Sequence, residues 1–215
     1  IAVVCIMFAN VKENFLICQM NRIVLFLVIL VFFSCTSNRQ KLDLKINRFE
    51  RTLFLINESN IKVISEELVE NFGTFNEVFA SQIMQKGNLT NKQYLQELID
   101  FTQNKDMREA YDSVDVLFAD FTAFEKELEF AFWQFSDCFP SYPVPEITTF
   151  FGGFNYGVVT YDDNIAIGLE NFLGEDSKYY QLLGSPNYLR FQKQKKFIVS
   201  NVMEVWLNEY FRQYL

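Results

Sequence analysis

Residues 23–33 form an unbroken apolar run that closes on Ser34-Cys35, and this run decides how much of the chain is available to build a fold. As a helix its eleven residues would span only about 16 Å, roughly half the thickness of a bilayer's hydrocarbon core, so a permanent membrane span is disfavoured. Met20-Asn21-Arg22 supplies the short positive start of a secretory signal, the run supplies its apolar middle, and Ser34 the small residue before a processing point. A cysteine immediately after that small residue separates this signal from an ordinary one. Cleavage before Cys35, once its thiol carries diacylglycerol, would leave a lipid-bearing first residue. An uncleaved anchor helix with an incidental cysteine is the alternative. The expected organisation is therefore upstream translation without a fold over 1–19, a lipoprotein signal peptide over 20–34, and a lipidated Cys35 with a polar tether to residue 42. A single domain follows over 43–215.

Charge and residue usage then remove several function classes. Of 19 Lys and Arg and 27 Asp and Glu, residues 1–35 hold two and one, which leaves the body 36–215 with a net charge of −9. An acidic body is a poor partner for nucleic acid, whose phosphates need Lys and Arg to displace counterions. The chain has no His, which excludes a Ser-His-Asp triad, a Cys-His pair and an imidazole zinc site within it. Gly152-Gly153 lacks the Lys and the helix start of a phosphate-cradling loop. Asp162-Asp163-Asn164 lacks calcium-loop spacing and reads as a hairpin turn. No metal and no cofactor are expected. With Cys35 lipidated, the mature body keeps Cys138 as a lone thiol, read as a small buried hydrophobe.

Helical periodicity dominates the first half of the body. Val63, Ile64, Leu68 and Phe72 recur near one stripe, and Gly73 can end that helix. A second helix carries Tyr94, Leu95, Leu98 and Ile99; a third covers 107–117 after the polar Asn104-Lys105-Asp106. The strongest pattern lies over 119–137, where Phe121, Phe124, Leu128, Phe132 and Phe135 recur every three or four residues. The chain changes character at Pro140-Ser-Tyr-Pro-Val-Pro145, which cannot continue a helix. Three short β-rich runs follow, at 147–151, 157–161 and 165–169, and a last helix over 194–215. The expectation is an α+β domain, mostly helical, with a small three-stranded antiparallel sheet.

One segment is unusually patterned: Ile167-Gly-Leu-Glu-Asn-Phe-Leu-Gly-Glu-Asp-Ser-Lys-Tyr-Tyr180. Its Glu170, Gly174, Asp176, Tyr179 and Tyr180 make a candidate interaction loop, with acid–base use of the carboxylates as the sharper and less favoured reading. A ligand-binding surface built from Tyr156, Tyr161, Tyr179 and Tyr180 is a further possibility.

Together with Ile46-Asn-Arg-Phe-Glu-Arg-Thr-Leu-Phe54, Pro143-Val-Pro-Glu-Ile-Thr-Thr-Phe150 and Val202-Met-Glu-Val-Trp206, this segment resembles the gliding motility lipoprotein B family, GldB, over roughly 35–215. Family members continue past this point, so the resemblance implies that a C-terminal part is missing. It also implies a bacterial lipoprotein held at a membrane through Cys35 and facing the periplasm. Such a protein is required for gliding, is linked to the associated protein secretion machinery, and has no assigned catalytic activity. The family is distantly similar to predicted zinc peptidases of the zincin type. In that register Met203-Glu204-Val205-Trp206-Leu207 stands where His-Glu-x-x-His would be, with the would-be general base Glu204 kept and both ligand positions apolar. A non-enzymatic machinery component is the leading expectation. An unusual or degenerate peptidase-like hydrolase and a periplasmic ligand-binding lipoprotein are the alternatives.

Overall fold

The computed structural model describes residues 42, 44–86 and 92–212. The signal peptide, Cys35 and nearly all of the tether lie outside the described residues. In chain order the elements are β1 (Ile46–Arg48), α1 (Phe49–Leu53), α2 (Ile61–Val78), α3 (Lys92–Gln103), α4 (Lys105–Leu117), α5 (Thr122–Cys138), β2 (Ile147–Phe150), β3 (Val158–Tyr161), β4 (Asn164–Gly168), α6 (Lys178–Leu182), α7 (Asn187–Arg190) and α8 (Ile198–Phe211). A π-helical turn, Phe79–Ile83, extends α2, and 3-10 turns occupy Leu169–Phe172 and Lys195–Phe197.

The helices follow their apolar stripes except at Val63, which α2 turns to solvent at 66% exposure. Ile64 and Leu68 are buried from α2, Tyr94 and Leu98 from α3, Leu128, Phe132 and Phe135 from α5, and Ile198, Val202 and Trp206 from α8. Gly73 breaks α2 as its sequence position suggested, by taking φ +38° and ψ −114°, a conformation open to a residue without Cβ. The kink turns Phe75 and Phe79 inward, where both pack against Phe49. Asn104 caps α4 by accepting the N–H groups of Asp106 and Met107 at 2.9 and 3.2 Å.

The sheet differs from expectation. It has four strands in the order β1-β2-β4-β3 and is mixed rather than antiparallel. β3 and β4 form the expected antiparallel hairpin, with Val158 opposite Ile167. β2 runs parallel to β4, pairing Ile147 with Ile165, and β1 runs parallel to β2, pairing Ile46 with Ile147. The physical reason is burial. β2 is covered along its whole length and β4 along nearly all of it, as parallel interior strands are, and such strands lose the alternation that betrays a half-exposed one. The short β1 is brought beside β2 only after the whole run of helices α1 to α5.

Two threonines inside β2 are satisfied in different ways. Thr148 Oγ1 lies 2.8 Å from the hydroxyl of Tyr161, and Thr149 Oγ1 donates to Glu50 Oε2 at 2.7 Å. α8 packs on β3 and β4 and against α5, where Trp206 meets the rings of Phe132 and Phe135. Cys138 is exposed rather than buried, because it falls at the last position of α5, just where the helix leaves the core. Among the described residues no helix is long and apolar enough to cross a membrane.

Candidate functional site

The patterned segment after β4 splits between interior and surface. Glu170 sits in the 3-10 turn Leu169–Phe172 and is completely buried. Its Oε1 accepts the N–H of Gly152 at 2.7 Å and that of Phe154 at 3.0 Å, so one carboxylate oxygen holds the chain reversal after β2. Its Oε2 is buried without a hydrogen-bond partner. Burial pushes the carboxyl up to about 7, against the opposing pull of those N–H groups and of Lys193.

Tyr180, likewise buried, completes this knot. Its hydroxyl donates to the Glu170 carbonyl at 2.8 Å and accepts the Leu173 N–H at 3.0 Å. Lys193 lies over the Tyr180 ring at 5.1 Å and donates to Asn171 Oδ1, while Asn171 Nδ2 donates to the Tyr156 carbonyl at 2.9 Å. Desolvation holds the half-buried Lys193 ammonium below its ordinary value. Glu170 lines neither the groove beside Tyr179 nor the cavity beside Tyr94. The geometry makes it a lock between two loops.

The remaining candidates face outward. Asp176 is exposed, and Gly174 and Tyr179 are half-buried. Tyr179 donates to the Glu109 carbonyl at 2.9 Å and lies 3.0 Å from Ser113 Oγ, and beside it Lys178 is ion-paired with Glu109. That pair, through its hydrogen bond, holds the exposed Glu109 carboxyl below and the Lys178 ammonium above their ordinary values. These contacts fasten α6 to α4 and frame an open groove of about 610 Å³ whose lining includes Glu109, Asp112, Val116, Leu173 and Tyr179. Val116 is 80% exposed there, so the groove offers an apolar edge flanked by carboxylates. Of the four tyrosines of the expected ligand surface, Tyr179 lines this groove. Tyr161 packs against Phe75, Tyr180 is interior, and Tyr156 lines neither this groove nor the cavity beside Tyr94.

On α8 the would-be metal register is turned inside out. Val202 and Trp206 are fully buried, Met203 and Leu207 are half-buried against the core, and Glu204 is exposed. The would-be base therefore points away from the packed side, and the two ligand positions are spent on packing.

Sequence reasoning missed a second buried polar cluster. Glu50 on α1 is 1% exposed and is paired with Arg48 Nε at 2.6 Å. Arg48 Nη1 also donates to the Phe118 carbonyl at 3.1 Å, and its guanidinium lies 5.2 Å from the Phe121 ring centre. Together with Thr149 this cluster ties β1, α1, β2 and the start of α5 to one another. Its signal was the opposite charges of Arg48 and Glu50 flanking Phe49, in a segment noted only for its resemblance.

The family model described as gliding motility protein GldB matches residues 35–214. No curated protein and no solved structure matches, so the zincin likeness implied by the resemblance finds no support there.

Proposed function

Since the chain belongs to the gliding motility protein GldB family, and is on that ground a gliding-motility-related, membrane-anchored lipoprotein, we propose that it is a non-enzymatic periplasmic component of the gliding and associated protein secretion machinery. The observation that carries this reading is the extent of the family match, which begins at Cys35, the residue that the signal pattern makes the lipid-bearing terminus. The lipid on Cys35 holds the body at the membrane surface, and the body contributes contacts rather than chemistry.

The arrangement of polar groups supports a contact role. Glu170, the carboxyl that burial raises to about 7, is closed inside the fold. From the surface part of the patterned segment, Leu173, Ser177, Lys178 and Tyr179 line the groove over α4 instead. We assign that groove as the contact surface for another protein of the machinery.

Deleting the gene in a gliding host and measuring colony spreading and protein secretion tests the proposal. Both are expected to be lost, and to return with the wild-type gene but not with Cys35→Ser. Normal spreading and secretion after deletion would overturn it.

A further inference from the structure

The chain between Ser177 and Met203 stands out from the rest of the body. It holds Lys178, Arg190, Lys193, Lys195 and Lys196 and no Asp or Glu, inside a body of net charge −9. It also carries a cluster of large apolar side chains in water: Leu182 is 79% exposed, Leu183 59%, Tyr188 76% and Phe191 53%. Isolated exposed leucines need no explanation, but several within ten residues mark an interaction surface.

The fold presents this surface rigidly. α6 hangs from the buried Tyr180, and the turn after it is closed by the Ser185 N–H on the Tyr180 carbonyl at 2.8 Å, with Gly184 at φ +66°. α7 is held back onto the same turn by Arg190 Nε, which donates to the Ser185 carbonyl at 2.7 Å. Charge and apolar surface coincide: the ammonium of Lys196 lies 5.1 Å from the centre of the Phe191 ring and 5.0 Å from that of Phe197. Lys178 is committed to Glu109 and Lys193 to Asn171, whereas Lys195 and Lys196 are exposed and, among the described residues, in no ion pair. The carboxylates of α4 on this side, Glu109 and Asp112, border the groove beside Tyr179.

We propose that the Leu182–Lys196 surface is an interfacial pad that docks on an anionic phospholipid bilayer, its leucine, tyrosine and phenylalanine side chains entering the headgroup boundary while Lys195 and Lys196 meet lipid phosphates. Leu and aromatic residues interleaved with Lys are the chemistry that partitions to such a boundary, each cation adding attraction to a negative surface. An acidic protein would satisfy the lysines but would leave the aliphatic tips of α6 without an apolar partner. If Cys35 is lipidated, the seven residues 36–42 reach at most about 25 Å, which holds the body at a bilayer and raises the pad's effective concentration there. That last argument rests on the lipid anchor; the docking itself does not.

Residues 41–215 form a compact unit with its own core, so the body can be tested with no anchor present. Unlipidated chain from residue 35 onward is sedimented with vesicles of phosphatidylcholine alone and of phosphatidylcholine with phosphatidylglycerol. At least tenfold stronger partitioning into the anionic vesicles is expected, weakening as salt is raised. Lys195→Glu/Lys196→Glu and, separately, Leu182→Ser/Tyr188→Ser are each expected to lower partitioning at least tenfold. These positions are exposed, and an unchanged thermal melt would show that the fold is kept. Equal partitioning into both vesicles, absence of binding, insensitivity to either double variant, or capture by polyglutamate but not by vesicles would overturn the pad. Failure of Cys35 lipidation would leave all of these outcomes unchanged.

Discussion

Glu170 accepts the backbone N–H of Gly152 at 2.7 Å, and this bond joins the turn that follows β4 to the reversal that follows β2. Because the two strands are parallel neighbours, their C-terminal ends leave the sheet side by side, and a buried acceptor is needed where both loops turn. The carboxylate satisfies the Gly152 and Phe154 donors, which could not otherwise be buried without cost.

The raised value of Glu170 gives stability a definite pH dependence. Its ordinary value of 4.5 becomes about 7 inside the fold, so the native state holds this proton more tightly than the unfolded chain. The stabilisation is complete below the unfolded value and is lost as pH rises through about 7, with a ceiling of about 3 kcal/mol. Glu170→Gln removes the titration and keeps an acceptor, so its urea midpoint should change less between pH 5 and pH 8 than that of the wild type. Glu170→Ala abandons two donors and should cost about 2–4 kcal/mol at pH 5, and less at pH 8, where the wild type has itself lost the contribution of the proton.

The Arg48–Glu50 pair should show the asymmetry of a buried ion pair. Glu50→Ala leaves the guanidinium of Arg48 in place without its carboxylate and should cost about 3–5 kcal/mol. Arg48→Met together with Glu50→Leu should recover much of that loss, because neither charge is then stranded. Chemical denaturation of the single and double variants measures the difference.

Gly168 ends β4 against the chain that leads into β3. A Cβ at this position would stand 2.2 Å from the Tyr156 carbonyl oxygen, and backbone cannot move aside as a flexible side chain can. Gly168→Ala should therefore cost about 3 kcal/mol or more, read from the denaturant midpoint. Gly174→Ala meets no atom within 4 Å and pays only for its φ of +106°. It should be the milder of the two.

Cys138 should react in the native state, since it is exposed at the end of α5. Peptide mapping after brief treatment with a maleimide, without denaturant, should find the Cys138 peptide labelled. Labelling that required unfolding would contradict its position.

What could be read from the chain followed from how each residue announces its surroundings. The stripes of α2, α3, α5 and α8 were legible because one face of each is wet, which preserves the helical period, and Gly73 was legible as a break. Strand positions were legible in Ile147-Thr-Thr-Phe150 and Ile165-Ala-Ile167, but strand direction was not, since a strand buried on both faces carries no record of its neighbour's sense. β1, three residues long, has no period to read. Glu170 reads as loop surface because Glu170-Asn171 follows the end of a strand and a glycine turn lies just beyond. Its burial depends on Gly152, eighteen residues earlier, and only the parallel pairing of β2 with β4 brings them together. Cys138 was misjudged because its residue type usually goes inside, whereas the end of α5 does not.

The central claim, a lipid-held member of the gliding motility family whose body begins at Cys35, meets its most direct test at the N-terminus of the protein recovered from host membranes. Mass spectrometry of the N-terminal peptide is predicted to find Cys35 as the first residue, carrying a diacylglyceryl group, with nothing from residues 1–34 attached. An unmodified Cys35 inside a peptide that continues back through Ser34 would contradict the account.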